Sequence, residues 1–342
     1  MIAKRNIILL VVTAVVAIAT AYILLKDRKD STLSDREADF SIRTPEKISK
    51  IELQDEQKRK IILHKRSGKW IVNERYEARP ALVENLIHIL SAMESQSPVG
   101  KNAVENVMRE MMQKHVYVKV FTGSYKPHKV FYVGGATPDS RKTYMLLEID
   151  GELASRPHMV RVPGMEGYLT PYFEMDEEVW RSRKVFNIPL PEMKEVSVVY
   201  PGSPARSFTI TVFKDSFILK NAFGEVEKAN SSILYTYCSM FEDLHFEAFD
   251  NDNPERESVV KDQPFAIIKL KNIKDDSTVV KLYFMPVNRR SKRLFDEQGN
   301  EVLVDVDRLY ATLNDKDFAL AQMYVFGKVL RNYQDFFPIK KP

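Results

Sequence analysis

The chain has 342 residues, 44% of them hydrophobic, with 51 Lys and Arg against 47 Asp and Glu, a formal charge of +4. That length and apolar content supply material for about two domain cores and exclude global disorder. Lys4, Arg5, Lys26, Arg28 and Lys29 lie in the first 30 residues against Asp27 and Asp30, so the remainder is nearly neutral, which argues against a nucleic-acid partner.

Ile7–Leu25 is a run of 19 residues without a charge. As a helix it spans about 28 Å, close to the apolar thickness of a bilayer. Ala17-Ile18-Ala19 and Ala19-Thr20-Ala21 match the small-x-small pattern of a cleaved signal peptide. The apolar run continues through Ile23-Leu24-Leu25, past the length of a signal core, so residues 1–25 read as an uncleaved anchor. No Cys lies nearby to carry a lipid. The flanking charges nearly balance across the span. The short N-terminal tail is that of a signal anchor, which predicts a single-pass protein of the bacterial inner membrane with residues 26–342 in the periplasm. Lys26–Ser41 is polar and charged and reads as a flexible tether.

Ile48, Ile51 and Leu53 alternate as a strand, followed by Ile61–His64, a turn at Ser67-Gly68, and Trp70–Val72. Pro80 suits the first turn of a helix carrying Leu82, Val83, Leu86, Ile87, Leu90 and Met93 on one face. Asn102 is the expected cap of a second helix reaching Lys114. Four strands are predicted at Val116–Phe121, Lys129–Val133, Thr143–Ile149 and Met159–Val162, then a helix over Asp176–Phe186. The order then recurs. Strands are predicted at Val196–Val199, Phe208–Phe213 and Phe217–Leu219, and a helix from a cap at Asn230 to Phe249. Strands at Phe265–Leu270, Val279–Phe284, Arg293–Phe295 and Val302–Val306 precede a last helix over Asp315–Leu330. Ile51/Val196, Trp70/Phe217, Lys119/Lys269 and Tyr132/Tyr283 match at offsets of 145, 147, 150 and 151, which predicts a tandem duplication. The expected fold class is α+β, two similar units of antiparallel sheet and helix at 42–190 and 191–342.

Several segments carry a resemblance. Trp70, Ala78-Arg79-Pro80, Tyr132-Val133-Gly134-Gly135, Pro163-Gly164, Gly167-Tyr168-Leu169 and Trp180-Arg181 occur in order. In these marks, over most of residues 40–250 and with the anchor, the chain resembles the domain-of-unknown-function 4340 family in its Bacteroidota form. It departs at Met165, where an aromatic is expected, and at Ser182, where an acid is expected. The resemblance implies a single-span envelope protein, in some members associated with ABC-type transport genes. It implies no catalytic residue.

The chain holds no nucleophile elbow, phosphate loop, dinucleotide fingerprint or H-E-x-x-H. The six His residues are scattered singly, and no metal or cofactor is expected. Asp250–Glu255 begins like a calcium loop, but Glu255 replaces the required Gly and Lys261 the bidentate Glu, so it reads as a turn. Cys238 reads as a packed small residue. Asp30-Ser31-Thr32 and Asp276-Ser277-Thr278 look like short O-glycosylation acceptors.

Two segments are candidate partner-binding sites. Pro163, Gly164, Gly167 and Tyr168 form a glycine-containing loop with an aromatic, a type that carries binding or only a tight turn. Arg289, Arg290, Lys292 and Arg293 form a basic cluster, either a grip on an anionic partner or a charged guard of an edge strand. The expected function is a membrane-anchored periplasmic interaction or scaffold module, accessory to an envelope transport or secretion complex. The alternatives are an enzyme acting on an envelope polymer, and a ligand-binding subunit with a cleft between the two units.

Overall fold

A computed structural model describes Thr20 and residues 35–214, 216–289, 291–295 and 298–337. The expected anchor over Ile7–Leu25 lies, apart from Thr20, outside the described residues. No helix among the described residues is long and apolar enough to cross a membrane. The chain divides into two compact units between Ser182 and Arg183, upstream of the expected boundary at 190/191. The fold is α+β, with mostly antiparallel sheets and few helices.

The first unit holds β1 (Lys50–Asp55), β2 (Lys60–Arg66), β3 (Lys69–Val72), β4 (Tyr76–Glu77), β5 (Glu94–Pro98), β6 (Val116–Phe121), β7 (Lys129–Ala136), β8 (Thr143–Ile149), β9 (Glu152–Leu153) and β10 (His158–Arg161). They form one antiparallel sheet in the order β4-β3-β2-β1-β6-β7-β8-β10-β5, with β9 paired to β8. Alternation sets the faces: Ile51, Leu53, Ile61, Leu63 and Val118 are buried while their neighbours are partly or fully solvated. The polar strand β5 was not expected. It is an edge strand with Ser95 and Ser97 in alternation and Pro98 at its end, where a lost N–H costs no ladder bond.

Helix Pro80–Ala92 starts with Pro80 at its first position and buries Val83, Leu86, Ile89 and Leu90. Helix Val104–Gln113 is capped at Ala103, not Asn102, and buries Val107 and Met111. The expected flexible tether is corrected at its C-terminal end. Phe40 is buried in the core and Glu37 is buried against Ser155; they adjoin Ile42, the first residue of the expected first unit, which is also buried and whose N–H donates to Leu90 O (2.7 Å). Residues 35–42 are thus a docked strap, because burial of Phe40 and Ile42 outweighs the charges of Asp35, Arg36, Glu37 and Asp39 that precede them.

The second unit holds β11 (Lys184–Phe186), β12 (Met193–Val199), β13 (Phe208–Phe213), β14 (Ser216–Asn221), β15 (Leu244–His245), β16 (Ala248–Phe249), β17 (Ala266–Asn272), β18 (Ser277–Pro286), β19 (Val304–Leu313) and β20 (Asp317–Gln322). The main sheet has the order β14-β13-β12-β17-β18-β19-β20-β16, and β11 pairs with β15 separately. Its core includes Phe186, Phe208, Phe241, Phe246, Phe326 and Phe336.

Three helices are shorter than expected. The helix over Asp176–Phe186 is confined to Glu177–Trp180, and Lys184–Phe186 turns into β11. The helix from Asn230 ends at Ser239, continues as a 3-10 turn over Met240–Glu242, and gives way to β15 and β16. The expected helix over Asp315–Leu330 is replaced by β20 and the short helix Met323–Phe326. The two short strands expected at Arg293–Phe295 and Val302–Val306 reduce to an isolated Phe295–Glu301 bridge and the start of β19.

Candidate functional site

The glycine-containing loop follows β10. Gly164 and Gly167 have φ of +77° and +94°, and an added Cβ at either would meet nothing within 4 Å. Their requirement is therefore conformational: the left-handed backbone of two successive turns, which a side chain would strain. The Met165 N–H closes the first turn on Val162 O (3.2 Å). Beyond the second turn the chain is pinned across two strands. The Leu169 N–H donates to Thr143 Oγ1 (2.6 Å), and Thr170 Oγ1 donates to Gly134 O (2.7 Å).

This pinning leaves Tyr168, 39% exposed, on a cleft of about 600 Å³. The opposite wall comes from the end of helix Val104–Gln113 and from the β1–β2 turn. Glu110, Lys114 and His115 line the first part, and Asp55, Glu56 and Arg59 the second. The floor is the end of β7, where the register to β8 shifts between Val133 and Ala136. Gly134 and Gly135 sit in that irregularity, a β-bulge of the kind that re-aims side chains beside binding sites. Gly134 is packed against helix Val104–Gln113. A Cβ there would fall 2.7 Å from Met111 Cγ and 3.1 Å from Tyr144 O.

The electrostatics of the cleft are lopsided. Buried Asp55 is committed to Arg59, accepting from its backbone N–H (2.9 Å) and its Nε (2.6 Å). Glu56, Glu110 and Glu174 then face Lys114 as the main charges on the rim. His115 Nδ1 donates to Met111 O (2.9 Å), which fixes the orientation of the ring. Of the four predicted loop residues only Tyr168 lines the cleft. Pro163 and Gly164 are exposed in the first turn, and Gly167 shapes the second. His115, Glu56, Glu110 and Glu174 were not singled out beforehand. The one available signal was the Gly134-Gly135 pair at the end of a strand pattern, which marks a bulge or a close backbone approach.

The marks that carry the resemblance gather in two places. Tyr168, Gly134 and Gly135 meet at the cleft. Trp70, Ala78-Arg79 and Trp180-Arg181 meet at the β4 end of the sheet. There the Ala78 N–H donates to Trp70 O (2.7 Å), the Arg79 N–H donates to Trp180 O (2.7 Å), and Ala78 bridges Arg181. The Arg181 guanidinium lies 3.9 Å over the Tyr76 ring.

The basic cluster is in the second unit, in the connection between β18 and β19. Arg289, Lys292 and Arg293 are exposed, and Arg290 lies outside the described residues. An edge-guarding role does not fit, because β18 and β19 each have neighbours on both sides. The connection is held by Asp305, a buried carboxylate that accepts from Ser291 Oγ (2.6 Å) and from the N–H groups of Asp307 (2.8 Å) and Arg308 (3.0 Å). Leu294, Phe295 and Leu303 are exposed in the same connection.

The remaining candidates are accounted for locally. In Asp250–Glu255, Asp250 Oδ2 accepts from Asn253 Nδ2 (2.6 Å), and Asn253 Oδ1 accepts from the Glu255 N–H (2.8 Å), so these oxygens close a turn. Cys238 is buried, and burial pushes its thiol up to about 12. Among the described residues, the carboxyl groups with shifted proton affinity, Asp139, Asp275 and Asp305, are all held below the ordinary value. No family model matches the chain, and neither a curated protein nor a solved structure matches it.

Proposed function

We propose that the chain is a membrane-anchored periplasmic interaction module of the domain-of-unknown-function 4340 type, accessory to an inner-membrane transport or secretion complex. The observation that carries this reading is the cleft beneath Tyr168, where Tyr168 and the Gly134-Gly135 bulge, both marks of the resemblance, share one surface. An exposed aromatic beside a bare glycine backbone suits a docked polypeptide segment, with the ring as anchor. Glu56, Glu110 and Glu174 against Lys114 favour a segment carrying Lys or Arg. The 19-residue apolar run Ile7–Leu25 supports the anchor.

We also propose that the two units are copies of one ancestral unit. The order β3-β2-β1-β6-β7-β8-β10-β5 parallels β14-β13-β12-β17-β18-β19-β20-β16 strand for strand. Ile51 pairs with Leu63 and Val120, as Val196 pairs with Ile210 and Leu270, which agrees with offsets of 145, 147 and 150. Tyr117 pairs with Tyr132, and the equivalent Ile267 pairs with Lys281. The ladder therefore favours Lys281 over Tyr283 as the match for Tyr132, a slip of two residues that keeps the same face.

A photoreactive phenylalanine analogue at Tyr168 of the full-length chain, crosslinked in intact envelopes, tests the function. One dominant inner-membrane protein is the expected adduct, absent when the analogue replaces exposed Glu152. No adduct, together with hydrolysis of an envelope polymer by the purified protein, would overturn the reading in favour of an enzyme. A reporter fused after Pro342 that is active only in the cytoplasm would overturn the topology.

A further inference from the structure

The strap 35–42 docks at one end of the first unit's strands. The Arg36 guanidinium pairs with Asp150 in the β8–β9 turn (2.8 Å). Glu37 accepts from the Ser155 N–H (2.8 Å) and Oγ (2.6 Å). Lys129, the first residue of β7, donates its Nζ to Ser41 O (2.8 Å) and to Asp39 O, and pairs with the Asp39 carboxylate (3.3 Å). Burial pushes the Lys129 amine down, and the neighbouring Asp39 opposes that. A cavity of about 620 Å³ joins Arg36 and Asp39 to Lys126 and His128 of the β6–β7 turn. In that turn Tyr125 is fully exposed, beside exposed Lys126.

The cleft lies at the other end of the same strands. β7 runs from Lys129 at the strap to Gly134-Gly135 at the cleft, about 20 Å at the rise of a strand. β1 gives the same polarity, with Lys50 paired to Phe121 at the strap end and Asp55 paired to Val116 at the cleft end. Only residues 26–34 separate the apolar run from the strap. Even fully extended, the ten steps from Leu25 to Asp35 reach about 35 Å. Turning the cleft toward the lipid would make the chain run back along the strands and consume over half of that reach.

We propose that the strap seats the first unit on the bilayer with the β6–β7 turn, through Tyr125 and Lys126, against the lipid headgroups, and with the Tyr168 cleft turned away from the membrane. A Tyr beside a Lys is the side-chain pair that settles at the headgroup level, the ring in the interface and the ammonium among the phosphates. This orientation rests on the membrane-anchor reading. It adds to that reading the surface of the folded part that meets the lipid, and explains why the cleft is open to a partner in the periplasm.

The test uses the full-length chain in vesicles of phosphatidylethanolamine and phosphatidylglycerol that carry a nitroxide headgroup lipid. Ser124→Cys and Gln57→Cys are labelled with one fluorophore; Ser124 is exposed beside Tyr125, and Gln57 is exposed in the β1–β2 turn at the cleft end. Buried Cys238 stays unlabelled. Quenching at position 124 is expected to exceed that at 57 several-fold, and the difference should collapse in a Glu37→Ala, Phe40→Ala background that releases the strap. Equal quenching, or stronger quenching at 57, in a chain that resists alkaline extraction overturns the orientation and leaves the anchor standing. A preference for position 124 that survives release of the strap overturns the strap's role. Extraction of the chain from the vesicles by alkaline carbonate counts against the anchor itself.

Discussion

Gly134 and Asp305 show what single residues contribute to the two candidate surfaces. Gly134→Ala forces a methyl into Met111 and against the Tyr144 carbonyl, and its expected cost is about 1–3 kcal/mol of overpacking. At Gly135 the added methyl meets nothing, so Gly135→Ala should stay within about 0.5 kcal/mol. Urea unfolding followed by tryptophan fluorescence distinguishes them, because both tryptophans, Trp70 and Trp180, lie in the first unit. Asp305 belongs to the second surface. Burial by itself would raise its carboxyl, but the Ser291 hydroxyl, the Asp307 and Arg308 N–H groups and the Arg308 charge outweigh burial and hold it below the ordinary value. A depressed carboxyl contributes its stabilisation fully above the unfolded pKa, about 3.9, and loses it as pH falls through the folded value. Hydrogen exchange of the 287–303 connection should therefore be faster in Asp305→Asn than in the wild type at neutral pH. The two should converge as pH falls below about 4. A constant difference across that range would remove Asp305 ionisation as the anchor of the basic turn.

Capping and patterning explain which elements were legible. Asn230 was readable as a cap and is one, its side chain accepting from the N–H groups of Ser232 and Ile233. Asn102 was read the same way, but the helix begins one residue later, at a cap without a side-chain bond. Asn230→Ala should cost about 1 kcal/mol and Asn102→Ala nothing measurable, as read by chemical denaturation followed by circular dichroism. Asp317–Gln322 was misread as helical for a physical reason. Phe318, Ala319 and Ala321 are buried on both faces of a strand flanked by β19 and β16, so the alternation that marks a half-exposed strand is absent. Leu320 and the two alanines are strong helix formers, and the strand pairing overrides that preference. The Tyr168 loop was legible because its glycines mark the turns. The acids across from it were not, because the ladder from Asp55 to Val116 to Val133 brings them together from distant parts of the sequence.

For the molecule as a whole, the strap changes what the segment after the apolar run does. Read from composition, 26–41 is a tether; in the fold its last part belongs to the first core, since Phe40 is buried beside Ile42, the residue at which the first unit was expected to begin. Composition averages over a segment, whereas two apolar side chains at suitable spacing decide whether its end docks. The strap meets the rest of the unit through Glu37 at Ser155, Lys129 at the Ser41 carbonyl and Ile42 at the Leu90 carbonyl, so it ties β7 and helix Pro80–Ala92 to the segment between β9 and β10. Phe40→Ala combined with Ile42→Ala should then lower the stability of the first unit by about 5–10 kcal/mol, the summed range for these two large-to-small core substitutions. Tryptophan fluorescence should report the shift, while hydrogen exchange of the second unit's β17, β18 and β19 should stay unchanged. If the double variant unfolds at the wild-type urea midpoint, the strap contributes nothing to the core, and the segment is a tether along its whole length.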